Sequence, residues 1–173
     1  TLLVERTAQD DEMWVYLPAM KRVRRLVASN KKDSFIGTDF SYGDVMGHKV
    51  SDWKHTLVRQ ETRDGVEHYV IESLPAEDSV RTNSGYAKRM TWIRKDNFAT
   101  TYVEAADVSG APYKQFSFTD IQLVDAANGK WQPMKTEGKN LQSGHTTSIT
   151  FSNFKVGEAL SDSLFSANNM ASR

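Results

Sequence analysis

The chain has 173 residues, a length that fits one domain with a sizeable hydrophobic core. Its 22 lysine and arginine residues are balanced by 22 aspartate and glutamate residues, which excludes a global positive field for binding nucleic acid or an anionic membrane. The absence of cysteine excludes disulfides, thiolate metal sites and cysteine nucleophiles, and no apolar run approaches the roughly 20 residues of a transmembrane helix.

Alternation of apolar and polar residues dominates the chain and predicts strands that are separated by short turns. In chain order, the predicted strands span residues 2–6, 13–17, 22–27, 54–63, 66–72, 86–95, 98–105, 114–124, 130–141 and 145–154. Asp64-Gly65 predicts a type I′ hairpin, because both central positions of that turn need a positive φ. Asp96-Asn97 and Asn128-Gly129 predict two further hairpins. The pattern is typical of a mainly β (α+β) protein with a long antiparallel sheet.

Helical patterns are short and few. Residues 41–45 predict a helix of little more than one turn, since Gly43 and Gly47 disfavour its extension. In the tail, Ser161 or Asp162 predicts the cap of a terminal helix. Neither helix is long enough to cover a large sheet.

The apolar residues of several strands fall on both faces of the predicted sheet. Trp92 and Ile93, for example, have opposite parity within one strand, and the apolar parity also changes after Phe118, which predicts a bulge near Thr119-Asp120. Because a sheet with two apolar faces needs cover on both, the pattern predicts either closure into a barrel or one side covered by further elements and a ligand.

Patterns of catalytic chemistry are weak in this sequence. No serine lies in a G-x-S-x-G turn, and no phosphate-binding glycine loop is present. Asp44, His48 and Asp52 would share one face of a continuous helix, as in some metal sites, but the glycines around them favour ordinary surface residues. The sequence therefore predicts a protein that is not an enzyme and that uses no cofactor and no metal.

A basic segment follows the second predicted strand, with Lys21, Arg22, Arg24 and Arg25 close together. One interpretation is an exposed edge strand whose charges prevent edge-to-edge pairing. The other is a surface that meets an anionic partner. The neutral net charge argues against nucleic acid as that partner.

Aromatic residues recur in the predicted strands and also allow two interpretations. Such residues form the core of most proteins. Alternatively, they line an apolar pocket within a curved sheet, which suits acyl chains because these need burial without hydrogen-bond partners. Composition does not distinguish the two.

Residues 13–45 resemble the bacterial family of outer-membrane lipoprotein-sorting proteins, which is related to LolA and LolB. The resemblance lies in a Trp-x-Tyr-Leu-Pro strand at 14–18, a Lys-Arg-x-Arg-Arg strand at 21–25 and a Ser-Phe-x-Gly-x-Asp-Phe-Ser-Tyr loop at 34–42. The tail, 144–166, is similar to the family's last strand and the helix that follows it.

The resemblance implies a strongly curved antiparallel sheet, or incomplete β-barrel, with few short helices and an apolar cavity. It also implies a carrier in the periplasm, or on the periplasmic face of the outer membrane, that shields acyl chains for lipoprotein sorting or lipid export. The alternative is a non-catalytic adaptor that docks an RND/MMPL-type exporter through the basic strand. Residues 1–173 are expected to form a single domain that lacks the family's N-terminal helix and first strands, so that an exposed sheet edge would favour a homodimer.

The predicted site residues follow from the resemblance and from the aromatic pattern. We expect residues 14–17 to form a wall of the curved sheet and the loop at 34–42 to pack over one end of the cavity. The predicted ligand contacts are Trp14, Tyr16, Phe35, Phe40, Tyr42, Met90, Trp92, Phe98, Tyr102, Phe116 and Phe118. The predicted partner contacts are Arg22, Arg24 and Arg25.

Overall fold

The computed structural model of the chain describes residues 1–4, 12–27 and 31–171. Its strands are β1 (Leu2–Val4), β2 (Glu12–Leu17), β3 (Arg22–Leu26), β4 (Trp53–Arg63), β5 (Val66–Pro75), β6 (Tyr86–Arg94), β7 (Thr100–Asp107), β8 (Pro112–Asp125), β9 (Lys130–Asn140) and β10 (Thr146–Thr150). The α-helices are α1 (Tyr42–Met46) and α2 (Asp78–Ser84), and single 3-10 turns occur at Pro18–Met20, Val50–Asp52, Asp162–Phe165 and Ala167–Ala171.

The strands form two antiparallel sheets. One has the order β1-β2-β3, and the other has seven strands in the order β10-β9-β8-β7-β6-β5-β4, so each strand of the large sheet pairs with its neighbours in the chain. Its two edge strands, β4 and β10, are not paired with each other, and the sheet stays open. A mainly β fold with a long, unclosed antiparallel sheet confirms the predicted fold class.

The predicted hairpins are confirmed at their turns. Asp64 and Gly65 both have positive φ, 53° and 77°, as a type I′ turn requires. Gly129 also has a positive φ of 61° between β8 and β9. In the hairpin between β6 and β7 the left-handed residue is Phe98, with φ of 57°, so the turn extends one residue beyond Asp96-Asn97.

The large sheet has two distinct faces, because directly opposed residues of antiparallel strands point to the same side. One row crosses the sheet through Ser73, Arg89, Ala105, Lys114 and Asn140. We call the face of this row the inner face, since the chain between β3 and β4 packs on it. The alternate positions form the outer face.

Several strand boundaries differ from the predicted ones. β5 continues to Pro75, three residues past its predicted end, and β7 begins at Thr100 rather than at residue 98. β10 ends at Thr150, and the exposed residues 151–154 are not part of it. Of the first predicted strand, residues 5 and 6 lie outside the described residues.

The helices were predicted in part. α1 begins after Ser41, whose hydroxyl caps it, as residues 41–45 predicted. In the tail, Ser161 accepts a hydrogen bond from the backbone N–H of Ser163, but two short 3-10 turns replace the predicted terminal helix. α2 was missed, because Val80 is its only large apolar residue and no periodicity marks it. Among the described residues no helix combines the length and the apolar character needed to cross a membrane.

The expectation that β2 forms a wall of the large sheet is wrong. β2 pairs with β1 on one side and β3 on the other, so it is the centre of its own small sheet. Its Met13 and Val15 are buried against Tyr42, which joins the small sheet to α1. The strand therefore packs against α1 rather than extending the large sheet.

The irregularity expected near Thr119-Asp120 takes another form. Asp120 has a left-handed backbone with φ of 51°, while the register across it is unchanged from Thr119 to Ile121. The register shift lies between Leu123 and Asp125. The prediction of a bulge at residues 119–120 is therefore wrong in position, although the backbone of Asp120 is locally distorted.

Candidate functional site

Residues 34–42, which we call the plug loop, form a tight hairpin. The backbone N–H of Phe35 donates to the carbonyl oxygen of Phe40 at 2.7 Å, and the Ser34 hydroxyl donates to the carbonyl of Thr38 at 2.7 Å. At the tip, Ile36 and Gly37 both have positive φ, 51° and 77°. Gly37 adopts this conformation without a Cβ clash, whereas a β-branched residue is strained there. The loop is thus shaped largely by its own hydrogen bonds.

The plug loop fills one half of the inner face. Phe40 is buried against Val103 and Phe116, with its ring 5.5 Å from that of Phe116. It lies directly over Gly138 of β9, where an added Cβ would be 2.9 Å from the ring. Thr147 of β10 donates from its hydroxyl to Asp39 at 2.7 Å and fixes the loop to the sheet. This half of the inner face is a packed core.

The other half of the inner face borders an open trough of about 510 Å³. Its apolar lining comes from strands β5 to β9 and from the hairpin between β6 and β7. The main apolar residues are Ile71, Ile93, Phe98, Val103, Phe118 and Trp131. Phe98 is 72% exposed at the rim of the trough.

The trough changes from polar to apolar along the strands. At one end, the row of the inner face reads Ser73, Arg89 and Ala105 across three strands. One step along the strands, the next row contains Ile71, Thr91 and Val103. Beyond it are Ile93, Phe98 and Phe118. The trough therefore has a polar end beside α1 and an apolar end beside the β6–β7 hairpin.

The polar end is anchored by Asp44 of α1. Ser41 and Asp44 form a capping box, in which the Asp44 carboxylate accepts the backbone N–H of Ser41 at 2.8 Å. The Tyr86 hydroxyl donates to the same carboxylate at 2.9 Å, and the buried Lys114 ammonium pairs with it at 3.2 Å. Burial and the nearby Asp44 carboxylate raise the pKa of Tyr86, so its hydroxyl stays protonated and donates. Asp44 is thus paired within the protein.

His48 packs beside this carboxylate in a neutral form. Burial is the largest cause that lowers its pKa to about 3, and the positive charge of Arg89 acts in the same direction. Its Nε2 atom is buried without a hydrogen-bond partner among the described residues, 4.0 Å from Asp44 Oδ1. The imidazole contacts the rings of Trp53 and Tyr86.

Arg89 is a cation of the trough for which the described residues supply no ion pair. In the part of the chain that the structure describes, its guanidinium makes neither a salt bridge nor a hydrogen bond, and its Nε is buried without a partner. It lies over the Trp53 ring at 5.8 Å. Burial is the largest effect on the pKa of Arg89 and lowers it, while Asp44 acts in the opposite direction. The neighbouring His55 is already bonded to Ser73 at 2.8 Å.

The predicted ligand contacts are distributed over four places. Phe98 and Phe118 line the trough. Phe35, Phe40, Tyr42 and Phe116 pack in the two cores beneath and around the plug loop. Met90, Trp92 and Tyr102 lie on the outer face, and Trp14 and Tyr16 belong to the small sheet. Contact between these side chains and a ligand stays a prediction.

Trp92 illustrates why an aromatic pattern alone did not locate the trough. Its ring lies on the outer face, 5.2 Å from Tyr102 and beneath the guanidinium groups of Arg59 and Arg63, each at 5.8 Å. Its indole N–H donates to Glu61, and this hydrogen bond is the main cause that lowers the pKa of that carboxyl. Trp92 is 6% exposed, because Tyr102 and the long side chains of Arg59 and Arg63 cover it.

The three predicted partner arginines do not share one face. Arg25 is opposite Trp14, stacks on its ring at 5.7 Å and pairs with Glu12 at 2.8 Å. The register places Arg22 and Arg24 on the other face of the small sheet. All three are exposed on β3, an edge strand of the small sheet. Partner binding through them stays a prediction.

The residues that distinguish the trough carry no motif by which the sequence predicts them. Arg89 is two residues from Thr91 and four from Ile93 on β6, so the alternation of the strand places this cation on the same face as both. That parity was the available signal. The inner face itself could not be assigned before the docking position of the plug loop was known.

Two other features have less bearing on a site. A second concavity, of about 770 Å³, is lined largely by polar and charged residues, including Lys32, Asp78, Arg81 and Asp107. Within residues 1–4, 12–27 and 31–171, no group of three or more histidine, aspartate or glutamate residues is arranged to hold a metal ion. Asp44 and His48 lie near each other, but α1 ends at Met46 and does not extend to Asp52.

Comparison with known proteins gives consistent structural neighbours. Residues 1–172 match a family model that is described as an uncharacterised protein. A domain described as that of an outer membrane lipoprotein-sorting protein from Vibrio parahaemolyticus has a TM-score of 0.86 and 27% identity, over 99% of this chain and 70% of that one. A DUF1329 family protein from Desulfovibrio piger has a TM-score of 0.84 and 29% identity, over 94% of this chain and 65% of that one.

A third solved structure is more distant but agrees with the first two. A LolA superfamily protein from Nitrosomonas europaea has a TM-score of 0.64 and 25% identity, over 91% of this chain and 67% of that one. No sequence match was found among curated proteins. These neighbours support the same family as the motifs at residues 13–45.

Proposed function

We propose a function from the premise that this chain belongs to the LolA-like family, which its motifs and its structural neighbours support. The proposed function is that of a non-catalytic carrier in the periplasm, which shields acyl chains of a lipid or lipoprotein in the trough. Two of the neighbours are described in terms of lipoprotein sorting or the LolA superfamily, which supports this class of ligand.

The observation that supports the proposal best is the trough on the inner face. Its volume of about 510 Å³ lies within the usual range of small-ligand sites. Ile71, Ile93 and Phe118 give it an apolar wall with few hydrogen-bonding groups at that end. Such a wall favours the burial of an alkyl chain, because each methylene removed from water contributes about 0.8 kcal/mol to the free energy of binding.

The first test measures binding to the trough directly. The purified protein is extracted with organic solvent for mass spectrometry and is separately titrated with the neutral dye N-phenyl-1-naphthylamine, whose fluorescence rises in apolar surroundings. We expect the extract to contain lipid and the dye to bind in competition with lipid. A clean extract together with no dye uptake would refute the proposed function.

A pair of threonine variants locates the binding. Thr91 is part of the trough lining, so Thr91→Trp places a large ring in the space that the dye would occupy. Thr56 is exposed and its register partner is Glu72, so Thr56→Trp adds the same ring on the outer face. We expect dye affinity to fall about tenfold or more in Thr91→Trp, which corresponds to about 1.4 kcal/mol. Equal losses in the two variants would place the dye elsewhere.

A further inference from the structure

The trough has one structural feature that an acyl chain alone does not explain, the guanidinium of Arg89. We propose that Arg89 binds the carboxylate of a fatty acid whose alkyl chain lies along the apolar end of the trough. This inference rests on the proposed function and narrows it, because it assigns a chemical class to the ligand and a residue to its head group.

The charges around Arg89 leave it uncompensated. Asp44 is the only acidic residue in the described lining of the trough, and it is already paired with Lys114 at 3.2 Å. His48 is neutral at pH 7, because burial lowers its pKa to about 3. A partly buried cation without an ion pair is costly, and a bound anion that supplies hydrogen bonds and charge offsets part of that cost. Lys49 adds a second cation to the lining, so the trough retains positive charge that an anionic ligand can neutralise.

The neighbours of Arg89 leave room for such an anion. Across the sheet Arg89 lies between Ser73 and Ala105. The Ser73 hydroxyl is hydrogen-bonded to His55, and the methyl group of Ala105 projects little from the sheet. On its own strand the next inner residues are Thr91 and Ile93. The distance from Arg89 to Ile93 along the strand is about 13 Å, at roughly 3.3 Å per residue. A head group at Arg89 would thus place an attached chain along the apolar wall.

A single negative charge fits the site better than a double one. A planar carboxylate can accept two parallel N–H bonds from the Arg89 guanidinium. A phosphate monoester would add a second negative charge beside the buried Asp44 carboxylate, which is unfavourable in a partly buried site. The charges therefore favour a fatty acid over a phosphate-headed amphiphile.

The test compares three amphiphiles of equal chain length on the same protein. Dodecanoate, 1-dodecanol and dodecyl phosphate are titrated in competition with N-phenyl-1-naphthylamine at pH 7. We expect the wild-type protein to bind dodecanoate about tenfold or more tightly than dodecanol, as a charge-assisted bond to a desolvated arginine would give. Dodecyl phosphate should bind more weakly than dodecanoate.

Arginine variants assign that preference to Arg89. In Arg89→Met we expect dodecanoate to lose its advantage while dodecanol affinity changes little, and in Arg89→Lys part of the advantage should return. Arg94→Met is the matched control, since Arg94 lies on the same strand but pairs with Asp96 away from the trough. It should leave the preference unchanged.

The outcomes separate the inference from the proposed function. Equal binding of dodecanoate and dodecanol by the wild type, or tighter binding of dodecyl phosphate, overturns the role of Arg89 but leaves lipid binding intact. Binding of none of the amphiphiles and of no dye refutes the proposed function itself. Thermal melting checks the fold of Arg89→Met, and if that variant is unfolded, the preference of the wild type among the three amphiphiles still decides the inference.

Discussion

The two halves of the inner face come from the same strands but have opposite packing. On one half, Phe40 closes the space above Val103, Phe116 and Gly138, and the result is a solid core. On the other half the sheet surface is left open as a trough, with Ile71 and Arg89 among its lining. Along the strands, apolar and polar residues alternate in the same way on both halves. The difference between core and cavity therefore depends on where the plug loop docks.

The boundary between the halves is a polar wall. Asp44, at the start of α1, contacts Lys114 and Tyr86 from the sheet, and His48 packs beside them. This cluster holds the end of the plug loop against the sheet, because the Asp44 carboxylate also accepts the backbone N–H of Ser41, while the Ser41 hydroxyl accepts the backbone N–H of Asp44. We expect changes on the filled half to alter stability, changes on the open half to alter binding, and changes at the boundary to have the largest effect.

The largest effect is expected for Lys114→Met at the boundary. Lys114 and Asp44 are both 5% exposed, so removing the lysine leaves a buried carboxylate without its cation. We expect a loss of about 3–5 kcal/mol in the free energy of unfolding, measured by chemical denaturation. The double variant Asp44→Asn, Lys114→Met should recover a large part of that loss.

An exposed ion pair of the same length serves as the control for Lys114→Met. Lys95 pairs with Glu67 at 3.2 Å, but the Glu67 side chain is 70% exposed. We expect Lys95→Met to cost no more than about 1 kcal/mol. Similar losses from the two lysine variants would contradict the view that burial makes the boundary cluster important.

The next effect is expected on the filled half, for Gly138→Ala. The added methyl group would lie 2.9 Å from the Phe40 ring, which has to move. We expect a loss of about 2 kcal/mol in the free energy of unfolding from overpacking, with dye affinity for the trough unchanged. Because leucine is smaller than phenylalanine, Phe40→Leu should reduce the cost of Gly138→Ala, and a double-mutant cycle measures this coupling. Additive losses would show that the alanine acts elsewhere.

The local features of the fold were largely predictable from the sequence. The strands and the turn at Asp64-Gly65 follow from alternation and from the need for positive φ, which depend only on neighbouring residues. The short helix at residues 41–45 was also predicted, whereas its capping box of Ser41 and Asp44 was not identified from the sequence. The resemblance at residues 13–45 added the family and the open antiparallel sheet.

The site was less predictable because it depends on distant contacts. Phe40 docks against Gly138, far away in the chain, and this contact decides which parity of every strand faces inwards. Trp92 is a residue type that often contacts apolar ligands, yet arginine side chains cover it on the outer face. Arg89 is an ordinary strand arginine in the sequence, and its unpaired state is a property of the folded neighbourhood.

A pH-dependent effect is expected from His48 at the boundary. Its pKa is about 3 when folded and 6.5 as an unperturbed group, so between these values the unfolded chain binds more protons. Stability therefore falls as the pH decreases through 6.5 towards 3, by at most about 1.4 kcal/mol for each pH unit from this residue, and the effect fades within about one pH unit above 6.5.

The variant His48→Gln isolates this contribution. Denaturation of wild type and variant at several pH values should show a smaller slope in the variant below pH 6.5 and parallel curves from about one pH unit above it. The exposed His145, replaced by glutamine, is the control for removal of any histidine. Equal slopes for wild type and His48→Gln would contradict a buried, neutral His48.

The smallest effect on stability is expected at the rim of the open half, for Phe98→Asn. Phe98 has a left-handed φ of 57° and is 72% exposed, so its ring adds little to the core while its backbone is strained. Asparagine tolerates this conformation, and we expect the free energy of unfolding to rise by about 0.5 kcal/mol. Dye affinity should fall a few-fold, because the ring lines the trough.

The control for Phe98→Asn is Ile36→Asn. Ile36 has nearly the same left-handed backbone, with φ of 51°, and is 61% exposed, but it lies at the tip of the plug loop outside the trough. We expect Ile36→Asn to raise the free energy of unfolding by as much as Phe98→Asn or more, without any change in dye affinity. If both variants gain stability and both keep their affinity, the exposed ring of Phe98 has no part in binding. If affinity falls only in Phe98→Asn, the protein retains a strained, exposed phenylalanine because it contacts the ligand.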